Sequence, residues 1–288
     1  MSDRVRGRGG RAGAPPDESA PVAFRDTGGN GPPIVFVPGL AGSAADFARV
    51  LSAVAREGFR ALAADPPGTG GSAAPKGGDY SIRAQSLRLL AAIRAKGLER
   101  PLLVGSSLGG AQGILLALAA PGALRGLVLL DALVYPKRLP FYFPLVSWPF
   151  LPAAVVRLLP ARRVARWVLA TATHPDFAAD EALVAELAAA HRTARCRLAI
   201  LETVRALRAQ AARDPQAVSR GLAELSLPVR VVWGESDPAI PLSHGERLAA
   251  EIPGATLRVI ERCGHLPQIE APERLAAEVV EFARAIGT

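Results

Sequence analysis

The sequence is short of cysteine and of lysine, and both shortages carry information. Its 288 residues include two cysteines, Cys196 and Cys263, which lie far apart and predict two small thiols in a reducing compartment rather than a disulfide framework. Three of the 34 basic residues are lysines, and this preference for arginine is typical of GC-rich coding. The net charge of +8 comes with no nucleic-acid recognition motif, so nucleic acid is not predicted as a partner.

No stretch of the sequence has the pattern of a secretory signal or a membrane span. The arginine-bearing N-terminus is not followed by the apolar region of a signal peptide. Two uncharged stretches, Pro101–Leu124 and Leu139–Val156, are long enough to consider. Glycines interrupt the first and four prolines interrupt the second, which a single spanning helix tolerates poorly. We therefore predict a cytoplasmic protein without a transmembrane helix.

What the chain does have is the composition of a globular protein with a sizeable core, at 50% hydrophobic and 21% charged residues. Residues 1–20 are rich in Gly, Arg, Pro and Ala and predict a disordered arm. From Val22 onward, short apolar runs alternate with helix-period segments, the pattern of a mostly parallel sheet flanked by helices. The runs that predict strands are Ile34–Val37, Ala61–Ala64, Leu102–Val104, Leu127–Leu130, Val229–Trp233 and Leu257–Ile260.

This alternation is interrupted at residues 133–226, where the sequence is helical and has no convincing strand. We interpret the stretch as an insertion between two strands of one sheet, so that residues 21–132 and 227–288 form the core. Residues 137–214 contain twelve Lys or Arg against six Asp or Glu. Such a surface fits a solvated basic helix face, a site for a carboxylate of the substrate, or contact with an anionic membrane.

The most specific motif is Gly105-Ser106-Ser107-Leu108-Gly109, which follows a predicted strand and precedes a helical pattern. It matches G-x-S-x-G in the strand–turn–helix context that this motif requires. The tight turn lifts the hydroxyl of Ser107 clear of the sheet and points the first helical N–H groups at the atom under attack. Ser107 is therefore the predicted nucleophile, whereas Ser106 is predicted to pack.

A serine hydroxyl needs a base within hydrogen-bond reach, and the base needs an acceptor that fixes its tautomer. Asp237 follows the predicted strand Val229–Trp233, and His265 follows the predicted strand Leu257–Ile260. Because the carboxyl ends of parallel strands meet at one edge of a sheet, these side chains can converge with Ser107. We predict Ser107, Asp237 and His265 as the catalytic residues.

Other residues compete for these roles. Asp131 also follows a predicted strand, and it is either an alternative acid or a turn residue at the strand end. Cys263 stands two positions before His265 and is predicted to be structural rather than reactive. The other histidines are predicted to be surface or packing residues; they are His174, His191 and His244.

With two further motifs, these residues resemble the α/β-hydrolase fold superfamily, in its branch of capped serine hydrolases. The segment Pro38-Gly39-Leu40-Ala41-Gly42-Ser43 is similar to the family's HGxxGS oxyanion loop, with proline in place of histidine. Asp65-Pro66-Pro67-Gly68-Thr69-Gly70-Gly71-Ser72 is similar to its DxPGxGxS turn. The resemblance implies a twisted sheet with a helical cap, residues 133–226, inserted after the sixth strand. It also implies an oxyanion hole formed by the N–H groups of Leu40 and Leu108.

The expected activity is hydrolysis of an ester or similar acyl bond in a small, largely apolar substrate, through an acyl-enzyme on Ser107. A serine at this turn argues against the dehalogenases and epoxide hydrolases of the superfamily, which use aspartate there. No metal cluster or dinucleotide fingerprint is visible in the sequence, so neither a metal nor a cofactor is predicted. Aromatic residues of the insertion are candidates for binding the substrate; they are Phe141, Phe143, Trp148 and Phe150.

The same three residues could serve other reactions, and the sequence does not choose between them. They include cleavage of a carbon–carbon bond in a ring-cleavage product, lactone opening, thioester cleavage, perhydrolysis and acyl transfer. A binding protein that uses the fold without catalysis is the alternative from another class. The natural substrate, the oligomeric state and the purpose of the arginine-bearing arm are not predicted.

Overall fold

The computed structural model describes residues 21–75, 78–135 and 160–287. The predicted arm and the four candidate aromatic residues Phe141, Phe143, Trp148 and Phe150 lie outside these ranges. Within them, seven strands form one sheet in the order β1-β3-β2-β4-β5-β6-β7. The strands are β1 Phe24–Asp26, β2 Pro33–Val37, β3 Arg60–Ala64, β4 Leu102–Ser106, β5 Gly126–Leu130, β6 Val229–Gly234 and β7 Thr256–Ile260.

Every strand pair in this sheet is parallel except β1 with β3. The helices that connect the strands are α1 Ala48–Arg56, α2 Ile82–Ala95, α3 Leu108–Ala119, α4 Ala161–Ala172, α5 Glu181–Ala190, α6 Ala194–Arg213, α7 Leu242–Glu251, α8 Pro267–Glu270 and α9 Pro272–Ala285. Short 3-10 turns occur at Ala44–Phe47 and Leu222–Glu224. The predicted α/β fold, a mostly parallel sheet flanked by helices, is confirmed.

The central strands are buried along their whole length because helices cover both faces of the sheet. Successive residues of a strand point to opposite faces, so each strand supplies two cores. On one face, Leu103 and Leu127 pack with residues of α2, α3 and α7. On the other face, Val104 and Val128 pack with residues of α1 and α9. This two-sided burial is why these strands show as continuous apolar runs.

The described part of the insertion is helical. Between β5 and β6 it contains α4, α5, α6 and one 3-10 turn, with no strand in residues 133–135 and 160–226. Residues of α4 and α5 form a small core of their own, and this core includes Ile269 of α8, with Leu266 packed against it. The insertion therefore packs directly beside the loop that carries His265.

The position of the insertion differs from the expectation by one strand. In the described residues it follows the fifth strand, β5, rather than the sixth. The count of six came with the family resemblance, whereas five segments before the insertion have an extended, hydrogen-bonded backbone here.

The apolar stretch Pro101–Leu124 forms β4, a turn and α3, and the stretch Leu139–Val156 lies outside the described residues. Among described residues, no helix has both the length and the apolar character for a membrane crossing.

Candidate active site

The turn between β4 and α3 holds Ser107 in a strained conformation. Its φ is +50° and its ψ is −112°, backbone angles that residues other than glycine seldom adopt. The strain is offset by backbone bonds to the end of the neighbouring strand. The N–H of Ser107 donates to the carbonyl of Leu130 at 2.8 Å, and its carbonyl accepts the N–H of Leu133 at 3.0 Å. This arrangement fixes the serine at the carboxyl edge of the sheet.

Glycine at position 105 is required by the close approach of the helix. A Cβ atom there would lie 2.4 Å from the carbonyl oxygen of Gly109 and 2.6 Å from the nitrogen of Gly110. Both are backbone atoms, which cannot swing away as a side chain could. The G-x-S-x-G pattern is thus a packing requirement of the sharp turn.

Replacing Gly105 by alanine is expected to lower the free energy of unfolding by about 3 kcal/mol or more, since the added methyl group overpacks fixed backbone. Gly254→Ala is the matched control: its φ is +70° and its Cβ would meet open space. That change is expected to cost about 1 kcal/mol, from backbone conformation alone. Chemical denaturation of both variants measures the difference, and equal losses would contradict the steric explanation.

Asp237 and His265 form a pair at the same carboxyl edge of the sheet as Ser107. His265 Nδ1 lies 2.7 Å from Asp237 Oδ2, and the carboxylate of Asp237 is fully buried. The other oxygen of Asp237 accepts the N–H groups of Ala239 at 2.7 Å and Ile240 at 2.8 Å. Three hydrogen bonds therefore hold the carboxylate in place. An acceptor at Nδ1 directs Nε2 of the imidazole outward, where it can take a proton.

The structure shows no hydrogen bond between the hydroxyl of Ser107 and His265, although both residues are described. A hydrogen bond between a catalytic nucleophile and its base is often long when no substrate is present, so the missing bond does not exclude such a pair. The two residues follow strands β4 and β7 at the same carboxyl edge of the sheet.

The loop after β2 lies over Ser107. A Cβ atom on Gly39 would be 3.0 Å from Ser107 Cβ and 3.6 Å from its Oγ. The backbone N–H groups of Leu40 in this loop and of Leu108 at the start of α3 have no acceptor within residues 21–75, 78–135 and 160–287. Free N–H groups at a helix N-terminus attract negative charge. Pro38 removes a donor from its own position and leaves the N–H of Leu40 available.

The second glycine-rich motif braces this loop. One carboxylate oxygen of Asp65 accepts the N–H of Ala44, and the other accepts the N–H of Gly71, both at 2.9 Å. The hydroxyl of Ser43 caps the 3-10 turn by accepting the N–H of Ala45, and the carboxylate of Asp46 accepts the N–H of Ser43. Burial raises the pKa of Asp46 to about 6. Asp65 thus links the two loops.

Asp131 lies close to the pair but is bonded differently. Its Oδ1 accepts the N–H of Gly234 at 2.8 Å, and its Oδ2 has no hydrogen-bond partner in the described residues. Burial and the neighbouring Asp237 carboxylate raise the pKa of Asp131 well above its usual range. Polar atoms of Asp131, Asp237 and His265 all lie within 4.8 Å of one another, a spacing that could also hold a metal ion. In the structure, the imidazole of His265 is hydrogen-bonded to Asp237 and not to Asp131.

The structure also places the remaining histidines and cysteines. His174 Nδ1 accepts the N–H of Asp176, and the ring of His244 packs edge-on against Tyr135 with centroids 5.6 Å apart. Burial raises the pKa of both thiols, to about 11 for Cys196, so neither is an ionised nucleophile near neutral pH.

Two residues have contacts near the site that the sequence did not predict: His191, which was expected to be a surface or packing residue, and Glu270, which no motif singled out. His191 of the insertion places one ring nitrogen 2.8 Å from the carbonyl of Leu187 and the other against the carbonyl of Ala41, in the loop over Ser107. Glu270 bonds the backbone on both sides of His265. The sequence signal for Glu270 is an acidic residue in the first turn of a helix that begins with proline.

Comparison with known proteins identifies the family. The model of the alpha/beta hydrolase fold matches residues 32–272. A relative from Burkholderia vietnamiensis, named 2-hydroxy-6-oxononadienedioate/2-hydroxy-6-oxononatrienedioate hydrolase, is 29% identical over 276 residues, which cover 91% of each chain. An alpha/beta hydrolase fold protein from Burkholderia ambifaria is 27% identical, with a TM-score of 0.78 over 92% of this chain and 96% of its own.

A thermophilic esterase from Thermogutta terrifontis, solved with malate bound, is 24% identical and has a TM-score of 0.78. The match covers 93% of this chain and 94% of the esterase, and at this identity it shows the fold alone. The family match spans both parts of the sheet and the described insertion between them. The strand order, the turn at Ser107 and these similarities agree, and the chain belongs to the alpha/beta hydrolase fold family.

Proposed function

We propose that this chain is a serine hydrolase that cleaves an ester or similar acyl bond of a small, largely apolar substrate. The observation that carries the proposal is the contact of His265 with the buried carboxylate of Asp237, at 2.7 Å, on the sheet edge where the strained turn presents Ser107. A nucleophile, a base and an orienting acid at one edge are the groups that acyl transfer requires.

In the proposed reaction, His265 Nε2 takes the proton of Ser107 as Oγ attacks the acyl carbon. The N–H groups of Leu40 and Leu108 bind the negative oxygen of the tetrahedral intermediate. Collapse of the intermediate breaks the bond to the leaving alcohol, which receives the proton from His265. In the second half, His265 takes a proton from water as the water attacks the acyl carbon. The bond to Ser107 Oγ then breaks, Oγ receives that proton from His265, and the acid departs. Asp237 holds the imidazole in the required tautomer throughout.

Hydrolysis of a carbon–carbon bond is the second candidate. It is favoured by the relative from Burkholderia vietnamiensis, whose name describes hydrolysis of 2-hydroxy-6-oxo dienedioates. The same three residues would serve, with a carbon leaving group that receives the proton. A panel containing p-nitrophenyl esters, a thioester, a lactone and a vinylogous diketone separates the candidates. Preference for the diketone over every ester would replace the ester proposal.

We place the selection of substrates in the insertion, over the catalytic edge. The aromatic and aliphatic residues of its segment 139–159, which lies outside the described ranges, favour an apolar acyl or aromatic group. Each methylene buried in a suitable pocket contributes about 0.8 kcal/mol. In a series of p-nitrophenyl esters, kcat/KM is therefore expected to rise about three- to fourfold per methylene until the pocket is full. A flat profile, or activity on acetate alone, would contradict an apolar pocket.

A further inference from the structure

The loop that carries His265 is held by three consecutive backbone N–H groups. Gly264 N–H donates to Glu270 Oε2 at 2.9 Å, and Leu266 N–H donates to Glu270 Oε1 at 3.0 Å. The N–H of His265 itself donates to the carbonyl of Ala172, at the end of α4, at 2.7 Å. The backbone on either side of the imidazole is thus fixed by one carboxylate, and the residue between by the insertion.

The same carboxylate reaches the insertion. Glu270 Oε2 accepts the N–H of His174, just beyond α4, at 2.7 Å. The two segments approach so closely that a Cβ atom on Gly264 would lie 2.6 Å from the nitrogen of His174 and 2.7 Å from the carbonyl oxygen of Ala172. Glycine at 264 is what allows this contact. Glu270 therefore sits at a junction between the His265 loop and the insertion.

An ionised carboxylate suits this junction because all its oxygen atoms are acceptors. It takes three N–H groups with two oxygens, and bonds of N–H groups to a charged acceptor are stronger than those to a neutral one. Glutamine has the same size but one acceptor oxygen, and its amide nitrogen would face an N–H group. Glutamine therefore cannot satisfy the three donors at once.

We propose that Glu270 is a positioning residue for His265, through which docking of the insertion sets the place of the base. It touches neither the substrate nor Ser107 and acts by holding residues 264–266 and 174 together. The inference rests on the proposed function, because it assigns His265 the role of base. Loss of Glu270 would let the loop shift relative to Ser107, while the binding surface for the substrate stays in place.

Glu270→Gln is expected to lower kcat about 100-fold, the effect of misplacing a catalytic group by about 1 Å, with KM changed less than about threefold. Glu273→Gln, on the exposed first turn of α9, is the matched control and is expected to keep the native kcat. Amide hydrogen exchange of the native protein and both variants supplies a readout that does not depend on activity. Exchange is expected to accelerate at residues 174, 264 and 266 in Glu270→Gln alone.

Glu270→Asp is the second variant, in case Glu270→Gln fails to fold. It keeps the negative charge and shortens the side chain by one methylene. Its kcat is expected to fall between those of the native protein and Glu270→Gln. Native kcat in Glu270→Gln, or unchanged exchange at these three amides, would overturn the inference. A fall in kcat/KM that comes from a larger KM at constant kcat would also overturn it. Failure of the proposed function would show in a different variant, Ser107→Ala, which would then keep the native rate of ester hydrolysis.

Discussion

Ser107→Ala is expected to lower the turnover of ester hydrolysis by about 10⁶-fold, the loss found when the nucleophile is removed from a triad of this kind. The turn presents no second hydroxyl to replace it, because Ser106 is the last residue of β4 and is 1% exposed. The residual rate of Ser107→Ala would come from substrate binding and from the N–H groups of Leu40 and Leu108.

Ser106→Ala is the matched control, since it removes a neighbouring hydroxyl and leaves the turn intact. It is expected to retain the native rate within about tenfold, because buried packing changes of this size cost about 1 kcal/mol. Steady-state assays with one p-nitrophenyl ester compare the two variants. If Ser107→Ala keeps more than a small fraction of the native rate, with contaminating esterase excluded, the assignment of the nucleophile is wrong.

Asp237→Asn is expected to lower kcat by about 10⁴-fold, because the amide stabilises the wrong tautomer of His265. Asp131→Asn tests the alternative acid with the same chemical change one strand away. Its Oδ1 contact with the N–H of Gly234 can be kept by the amide oxygen. The expected loss in Asp131→Asn is less than about tenfold, since no bond to the imidazole is removed. A dead Asp131→Asn beside an active Asp237→Asn would move the acid role to Asp131.

Much of this fold could be predicted because its main signals are local. Each buried central strand is a short apolar run, and every run chosen from the sequence lies within a strand. Strand β1 was not among them. Its three residues Phe24–Asp26 contain no apolar run, and they form a strand by pairing with β3, nearly forty residues later in the chain.

The site shows the same division between local and distant information. Ser107, Asp237 and His265 were predicted from their places after strands, yet Asp131 satisfies the same rule. The choice between the two aspartates depends on which carboxylate meets Nδ1, a distance that no local pattern contains. The bonds that surround Glu270 are also long-range, since one joins residues 96 positions apart. The end of α4 and the residues just after it make those contacts with the loop. The packing of α4 and α5 against Ile269 of α8 is set by tertiary structure.

The central claim is that Ser107 is an activated nucleophile in this chain. Its most direct test is to react the protein with a fluorophosphonate probe and locate the adduct by peptide mass spectrometry. The account predicts one adduct, on Ser107, that is absent from Ser107→Ala and much slower to form in His265→Ala. A protein that stays unmodified under conditions that label a known serine hydrolase, or an adduct on another residue, would contradict it.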